Sequence, residues 1–372
     1  MNEKQYLSLS VIVIVLIAVI IFILYSYSDS HDEKRAFFSS LGQLPGGGTQ
    51  TIPYAVSEDG QVVVGRADTN DHGSPGFVWT KKTGMQSLGH LPNADYSPAL
   101  GVSKDGTVII GQSGTLQTEV LPYRWTRNTG MIALGNLSGG DGSGSANGIT
   151  SDGKIIVGMA NSVSGDTAFI YDEASGMRSL GSLVDPGQSE ATAVTLDCSI
   201  IVGGSLNNEY FVEPFHWSEE TGMIGLGDIP GSVGLSVARA VSSDGSVIVG
   251  DSYIVNNTLV AFFWTKSTGI MQLPDFPEGQ LSCMATGITG DGSVIVGYGF
   301  DSSGKKAAYW INNTIYSLEE KLNDLQVNIS GWKLQCITAI TPDGKTIVGY
   351  GSSPAQILGG WIAYLPKGLG DV

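Results

Sequence analysis

From residue 37 to residue 366, short apolar runs are cut at regular intervals by Asp-Gly and Thr-Gly pairs. The clearest stretch is Ala240-Val-Ser-Ser-Asp-Gly-Ser-Val-Ile-Val-Gly250, followed by Ala261-Phe-Phe-Trp-Thr265 and Gly269-Ile-Met-Gln-Leu273. Alternating β-branched and aromatic residues bounded by such pairs predict strands joined by hairpins. The Asp-Gly turn returns at Asp59, Asp105, Asp152, Asp244, Asp291 and Asp343, with Asp197-Cys198 as a degenerate copy. An aromatic anchor follows each turn, at Trp79, Trp125, Tyr171, Trp217, Trp264, Trp310 and Trp361, spaced 46, 46, 46, 47, 46 and 51 residues apart. The chain is therefore an array of seven repeats.

Each repeat predicts four strands: a before Asp-Gly, b of the Val-Ile-Val-Gly type, c with the anchor, and d of the form Gly-Met-x-x-Leu-Gly. Two irregularities fix how the array ends. Phe37-Phe-Ser-Ser-Leu-Gly-Gln-Leu-Pro45 matches strand d of repeat 1, Gly84-Met-Gln-Ser-Leu-Gly-His-Leu-Pro92, yet precedes every full repeat. Repeat 7 stops at Trp361-Ile-Ala-Tyr-Leu-Pro366 without a strand d. The spare piece is the missing piece, so the expectation is all-β: a seven-bladed β-propeller of four-stranded blades, its ring closed by the N-terminal strand. An open solenoid would need polar caps at both ends, and none is visible. The anchors are expected in the core between blades. Repeat 7 also carries Leu318-Glu-Glu-Lys-Leu-Asn-Asp-Leu325, whose leucines at i, i+4 and i+7 predict a short amphipathic helix on the ring.

Ahead of the repeats, Leu7 to Tyr25 is uncharged, close to the ~20 residues of a spanning helix. The expected organisation is an N-terminal tail (1–6), one transmembrane helix or signal anchor (7–25), a tether (26–36), the propeller (37–366) and a C-terminal tail (367–372). A cleaved signal is the alternative, although Ser26-Tyr-Ser28 fits a cleavage site poorly. An N-terminal hydrophobic segment usually directs export of the downstream chain. The propeller is thus expected on the cell surface or in the periplasmic or extracellular space.

A formal net charge of −16 argues against nucleic acid as a partner, which calls for clustered Lys and Arg. Three scattered cysteines, Cys198, Cys283 and Cys336, make neither a disulfide framework nor a zinc site. Small buried thiols are the expected reading, with a Cys283–Cys336 bridge as the alternative.

The pattern A-x-x-V-S-x-D-G-x-x-I-V-G, A-F-x-W-T and G-M-x-x-L-G resembles the HAF-repeat family of bacterial exported proteins, best at Ala240–Gly250 with Ala261–Trp264. The ending, with Leu322-Asn-Asp-Leu325, Gly331-Trp-Lys-Leu334 and Ile340-Thr-Pro-Asp-Gly344, is similar to that family's last repeat. The resemblance spans residues 37–366 and implies a β-propeller at the cell surface or secreted. It supplies no catalytic residues, and Thr167 and Val260 stand where the family's histidine would precede Ala-Phe.

Comparing the repeats with one another separates two kinds of loop. Turns a–b and c–d are short and alike, whereas b–c and d–a vary, and a propeller brings both variable sets to one face. Variable loops on a rigid frame are where binding concentrates. Candidate ligand-binding residues there are Asp68, Asn70, Asp71, Tyr96, Tyr210, Tyr253 and Phe276. Arg239 joins them from the strand-a position shared by Tyr54, Leu100, Asn147, Thr192, Thr286 and Thr338, a candidate channel lining. An ion pair is the plainer role for Arg239. Asp68-Thr-Asn-Asp-His-Gly73 has calcium-loop spacing, a weak Ca2+ candidate because Trp79 replaces the expected Glu. No set of acids, bases and nucleophiles stands out as catalytic. The reading is a non-catalytic propeller, membrane-tethered or exported, that binds a protein or glycan. The alternatives are a structural subunit of a cell-envelope assembly and a glycosidase or polysaccharide lyase.

Overall fold

The computed structural model describes residues 35–70, 73–115, 119–277 and 282–370. The apolar stretch 7–25 and nearly all of the tether lie outside them. Among the described residues, no helix is long and apolar enough to cross a membrane.

The described chain is all-β. A first strand, β1 (Phe37–Ser40), precedes the repeats. Repeat 1 forms β2 (Gly47–Val56), β3 (Val62–Thr69), β4 (Ser74–Thr80) and β5 (Gly84–Ser87). Repeat 2 forms β6 (Tyr96–Ser97), β7 (Ala99–Val102), β8 (Val108–Ser113), β9 (Leu121–Thr126) and β10 (Gly130–Ala133). Repeat 3 forms β11 (Gly144–Ile149), β12 (Ile156–Ser162), β13 (Gly165–Asp172) and β14 (Gly176–Gly181). Repeat 4 forms β15 (Ser189–Val194), β16 (Ile201–Leu206), β17 (Val212–Ser218) and β18 (Gly222–Gly225). Repeat 5 forms β19 (Ser232–Val241), β20 (Val247–Ile254), β21 (Thr258–Thr265) and β22 (Gly269–Gln272). Repeat 6 forms β23 (Met284–Ile288), β24 (Val294–Asp301), β25 (Gly304–Ile311) and β26 (Thr314–Ser317). Helix α1 (Leu318–Asp324) follows, then β27 (Lys333–Ile340), β28 (Thr346–Ser352) and β29 (Leu358–Tyr364) of repeat 7.

Within each repeat the strands pair antiparallel in chain order, apart from the two-residue β6, which pairs parallel with β4 of repeat 1, and both faces of a unit pack on its neighbours. Val157, Ala168 and Ile170 of repeat 3, for example, share one core with Ala191, Ile201, Phe215 and Trp217 of repeat 4. That two-sided burial explains the almost continuous apolar runs in strands b and c. Trp310 and Trp361 are completely buried anchors. In α1, Leu318 and Leu322 are buried but Leu325 faces solvent, so the apolar stripe is one residue shorter than the leucine spacing predicts. The segment expected as a C-terminal tail packs too. Leu369 is fully buried with Val294 and Ile347, and its amide donates to the Gly344 carbonyl at 3.1 Å.

β1 supplies the strand that repeat 7 lacks. It runs antiparallel to β29 in the register Phe37–Tyr364 to Ser40–Trp361. Phe37 stacks on Tyr364 at 5.7 Å, and Phe38 lies 5.9 Å from Trp361 and 5.4 Å from Trp332. Beyond the strand, Leu41 and Leu44 enter the core formed by Val63, Ala67 and Phe77 of repeat 1 with Val348 and Ile362 of repeat 7. The two ends of the array are joined by backbone pairing and by a shared core.

Around the axis, every innermost strand carries a bulge at the same place. The pairing skips Tyr54, Leu100, Asn147, Thr192, Arg239, Thr286 and Thr338. These are the residues read from sequence as a channel lining, and the structure gives several of them a job. Asn147 Nδ2 donates to the Ala191 carbonyl at 2.9 Å, Thr192 Oγ1 to the Ala238 carbonyl at 2.6 Å, and Thr286 Oγ1 to the Ile337 carbonyl at 2.7 Å. Each bond crosses from one repeat to the next. The bulge also drives a carbonyl against the glycine that ends the Val-Ile-Val-Gly word. A Cβ on Gly250 would collide with the Val237 carbonyl and the Phe262 ring. On the Asp-Gly side, Val56, Val102, Ile149, Val194, Val241, Ile288 and Ile340 line a cavity of about 190 Å3. Lys104 and Ser151 both engage Glu58 at its edge.

The Asp-Gly turns share one hydrogen-bond pattern. In repeat 5, Ser242 Oγ and the Ser246 amide donate to Asp244 Oδ1 at 2.7 and 3.0 Å, while the Val247 amide donates to Ser242 Oγ at 3.0 Å. Cys198 adopts φ 64 where the other turns have glycine. The Ser246 amide, then the Ser242 and Ser246 hydroxyls, hold the Asp244 carboxyl down to about 2. A carboxyl depressed by folding stabilises the native state above its unfolded pKa, and that support is lost as pH falls through the folded value. We therefore expect Asp244→Ala to lower Tm by a few degrees at pH 7 and the gap to close as pH falls from about 4 to about 2; a gap that persists at pH 2 would contradict this. Replacing residues 37–40 with a flexible linker of equal length should lower Tm and yield concentration-dependent association through the freed edge of β29. An unchanged Tm with a monodisperse monomer in sedimentation would refute the closure.

Candidate functional site

The b–c and d–a loops open on the side opposite the Asp-Gly turns. There the seven described residues of the eight chosen from sequence do not converge on one site. In repeat 1, Asp68 accepts from Ser74 Oγ at 3.0 Å and lies 3.6 Å from Arg66, which also donates to Tyr54 Oη at 3.1 Å. Asn70 is exposed. Asp71 and His72 lie outside the described residues. The first carboxylate of the calcium-loop wording is therefore already engaged by Ser74 and Arg66. Among the described residues, no three His, Cys, Asp or Glu side chains are grouped to hold a metal ion. Tyr96 is half-buried and pairs alongside Ser74 and Gly114. Phe276 leans on the Val249–Leu273 core instead of projecting as a loop tip.

Arg239 makes the ion pair that its position implied. Its Nε and Nη2 donate to Asp251 Oδ1 and Oδ2 at 2.5 and 3.3 Å. The Asp251 carboxylate is only 4% exposed, against 36% for the Arg239 side chain. Other acids of this face are similarly occupied. Asp301 pairs with Lys306 at 2.7 Å, and Asp275 accepts the Phe276, Ser282 and Phe300 amides. Burial raises the Asp228 carboxyl, and Ser236 donates to it. Ser97 and His90 make the corresponding contact of 2.9 Å between repeats 1 and 2, which marks this pairing as part of the blade framework. His216 packs against Trp264 at 5.9 Å, its imidazole pushed down by burial and by Lys266. The side chains that chemistry would require are largely committed to holding the frame.

What the face does present is apolar surface. Tyr210, Phe211, Val233, Leu235 and Val255 are exposed by 83, 43, 47, 44 and 58%. They occupy the b–c turn of repeat 4, the first residues of β19, and the 3-10 turn Val255–Asn257. The structure ties these segments together. Val212 pairs parallel with Leu235, Leu235 pairs with Tyr253, and the Val255 amide donates to the Gly231 carbonyl at 3.1 Å. Gly234, at φ +84, lets the Phe211 ring lie on its backbone, because any Cβ there would strike the ring. Elsewhere, Ile132, Ile224, Met271 and Tyr316 are exposed singly on outer strands of different repeats, which is ordinary surface. Of the sequence candidates, only Tyr210 and Tyr253 belong to this patch. Its remaining members read as plain strand and turn residues.

No family model matches the chain, and no curated protein matches it by sequence. Solved structures do. The β-propeller domain of the Trilobed protease from Pyrococcus furiosus, described as having an open velcro topology, aligns over 89% of this chain and 93% of that one, at 12% identity and TM-score 0.54. An oligogalacturonate lyase in complex with manganese aligns over 90% of this chain and 97% of that one, at 15% identity and TM-score 0.53. TolB from Acinetobacter baumannii aligns at 13% identity and TM-score 0.47; the match covers 70% of this chain and 62% of that one, less than two thirds of its length. At such identities the first two likenesses establish the fold alone: an all-β protein of propeller type.

The Arg239–Asp251 pair yields a test. Arg239→Met leaves a nearly sealed carboxylate without its cation, whereas Asp251→Asn leaves a partly hydrated guanidinium. We expect the first to cost about 3 kcal/mol and the second less, by urea denaturation at pH 7. Equal losses below about 1 kcal/mol would show a solvent-screened pair.

Proposed function

We propose that the protein is a seven-bladed propeller, closed by β1 and held at a membrane by residues 7–25, that docks a protein partner through the apolar patch of repeats 4 and 5. The contiguous patch Tyr210–Phe211–Val233–Leu235–Val255 carries this reading. Exposed apolar residues grouped on one face mark interaction surfaces more than scattered ones do. Three of the five are aliphatic, which favours a protein over a glycan, since sugars stack chiefly on aromatic rings. Glu209 stands exposed beside the patch on a chain of net charge −16, so the fitting partner presents apolar side chains flanked by Lys or Arg. The uncharged stretch Leu7–Tyr25 and the resemblance to HAF-repeat proteins support export and tethering.

A photo-crosslinking residue placed at Tyr210 or Val255 in intact cells tests the docking. We expect one discrete adduct from these positions, none from Ile132 or Met271, and its loss in Phe211→Glu at unchanged Tm. Adducts of equal yield at patch and outer-strand positions, or none at the patch, would overturn the reading. For the tether, removal of residues 7–25 is expected to move the protein from the membrane pellet to the soluble fraction. Retention in the pellet would count against it.

A further inference from the structure

On the other arc of the same face, around repeats 6, 7 and 1, lies a cluster that the patch does not use. Tyr298 and Tyr350 each follow the glycine of the Val-Ile-Val-Gly word, in β24 and β28. Lys305, at the start of β25, extends between them. Its Nζ lies 3.6 Å over the Tyr298 ring and 2.9 Å from Tyr350 Oη, to which it donates. Lys306, its neighbour, turns the other way and pairs with Asp301. Tyr54, whose hydroxyl accepts from Arg66, lies close enough to Tyr350 to add to the burial that raises the Tyr350 phenol.

Lys305 differs from the other cations of this rim. Arg66, Arg239 and Lys306 each face a carboxylate, but Lys305 is half-buried with a ring face and a phenol as its partners and no ion pair among the described residues. Burial pushes its ammonium below the ordinary lysine value and pushes the Tyr298 phenol up to about 12. Desolvating a cation without a counter-ion is costly, and a chain of net charge −16 has ample acid to place beside it if the role were purely structural. We propose that this cluster binds a small hydroxy-carboxylate of the uronate class, its carboxylate on Lys305 Nζ and its hydroxyls and ring on the phenols of Tyr54, Tyr298 and Tyr350. A charge-assisted bond supplies the orientation, and the tyrosine faces supply sugar-compatible surface. This site is independent of protein docking at repeats 4 and 5.

Calorimetric titration of the full chain in detergent at pH 7 with D-glucuronate, acetate and D-glucose tests it. The expected order is glucuronate, then acetate, then glucose, with glucuronate binding at a Kd of about 1 mM or tighter. Lys305→Gln should weaken glucuronate at least about tenfold, while Lys305→Arg, which keeps the charge, retains most of the affinity. Thermal melts of both variants show whether the fold survives; if Gln destabilises it, the Arg variant and the wild-type ligand series still decide. Equal binding of glucose and glucuronate, no glucuronate binding, or undiminished affinity in a folded Lys305→Gln would overturn the site. Equal binding of acetate and glucuronate would overturn the uronate assignment.

Discussion

Everything in this molecule depends on β1 reaching β29. Strand pairing within a repeat is local, but a four-stranded unit cannot cover its own two faces. Burial is complete only when the last unit meets the first. Phe38 on Trp361, and Leu41 and Leu44 between Val348 and Phe77, make that junction a core in its own right. The partners are separated by more than 300 residues, from Phe37 to Tyr364. Their joining bears the loop-closure cost of almost the whole chain.

At the axis, a second constraint shapes the sequence. The bulges let three of the innermost strands present a side chain to a carbonyl of the next, as Asn147 does to Ala191, Thr192 to Ala238 and Thr286 to Ile337. The same bulges force glycine at Gly250 and its equivalents. Where the bulged residue is Arg239, its side chain makes an ion pair within the repeat instead.

Much of the frame was legible because its signals are local. Ser or Thr two residues before Asp, with Gly after it, is one self-contained hydrogen-bonded turn, and the spare strand at Phe37 shares Ser-Leu-Gly-x-Leu-Pro with Gly84–Pro92. The bulges were not legible, since register is set by the partner strand; only the mixed character of Tyr54, Arg239 and their equivalents hinted at a special position. Phe276 looked like a loop aromatic and is core packing. Val233 and Leu235 carry no sequence signal that sets them apart from buried strand residues, yet they are exposed. Lys305, Tyr298 and Tyr350 sit in two different repeats, and no spacing rule joins them.

If a partner covers the patch on repeats 4 and 5 in the cell, the patch must be shielded there and open in the purified protein. Single cysteines at Tyr210, Leu235 and Val255, with Ile132 and Met271 as outer-strand controls, can be labelled by a maleimide in both settings. We expect labelling slowed in intact cells about tenfold or more at the three patch positions and little changed at the controls. The same ratio of rates at patch and control positions would mean that nothing docks there, and the docking role would fall.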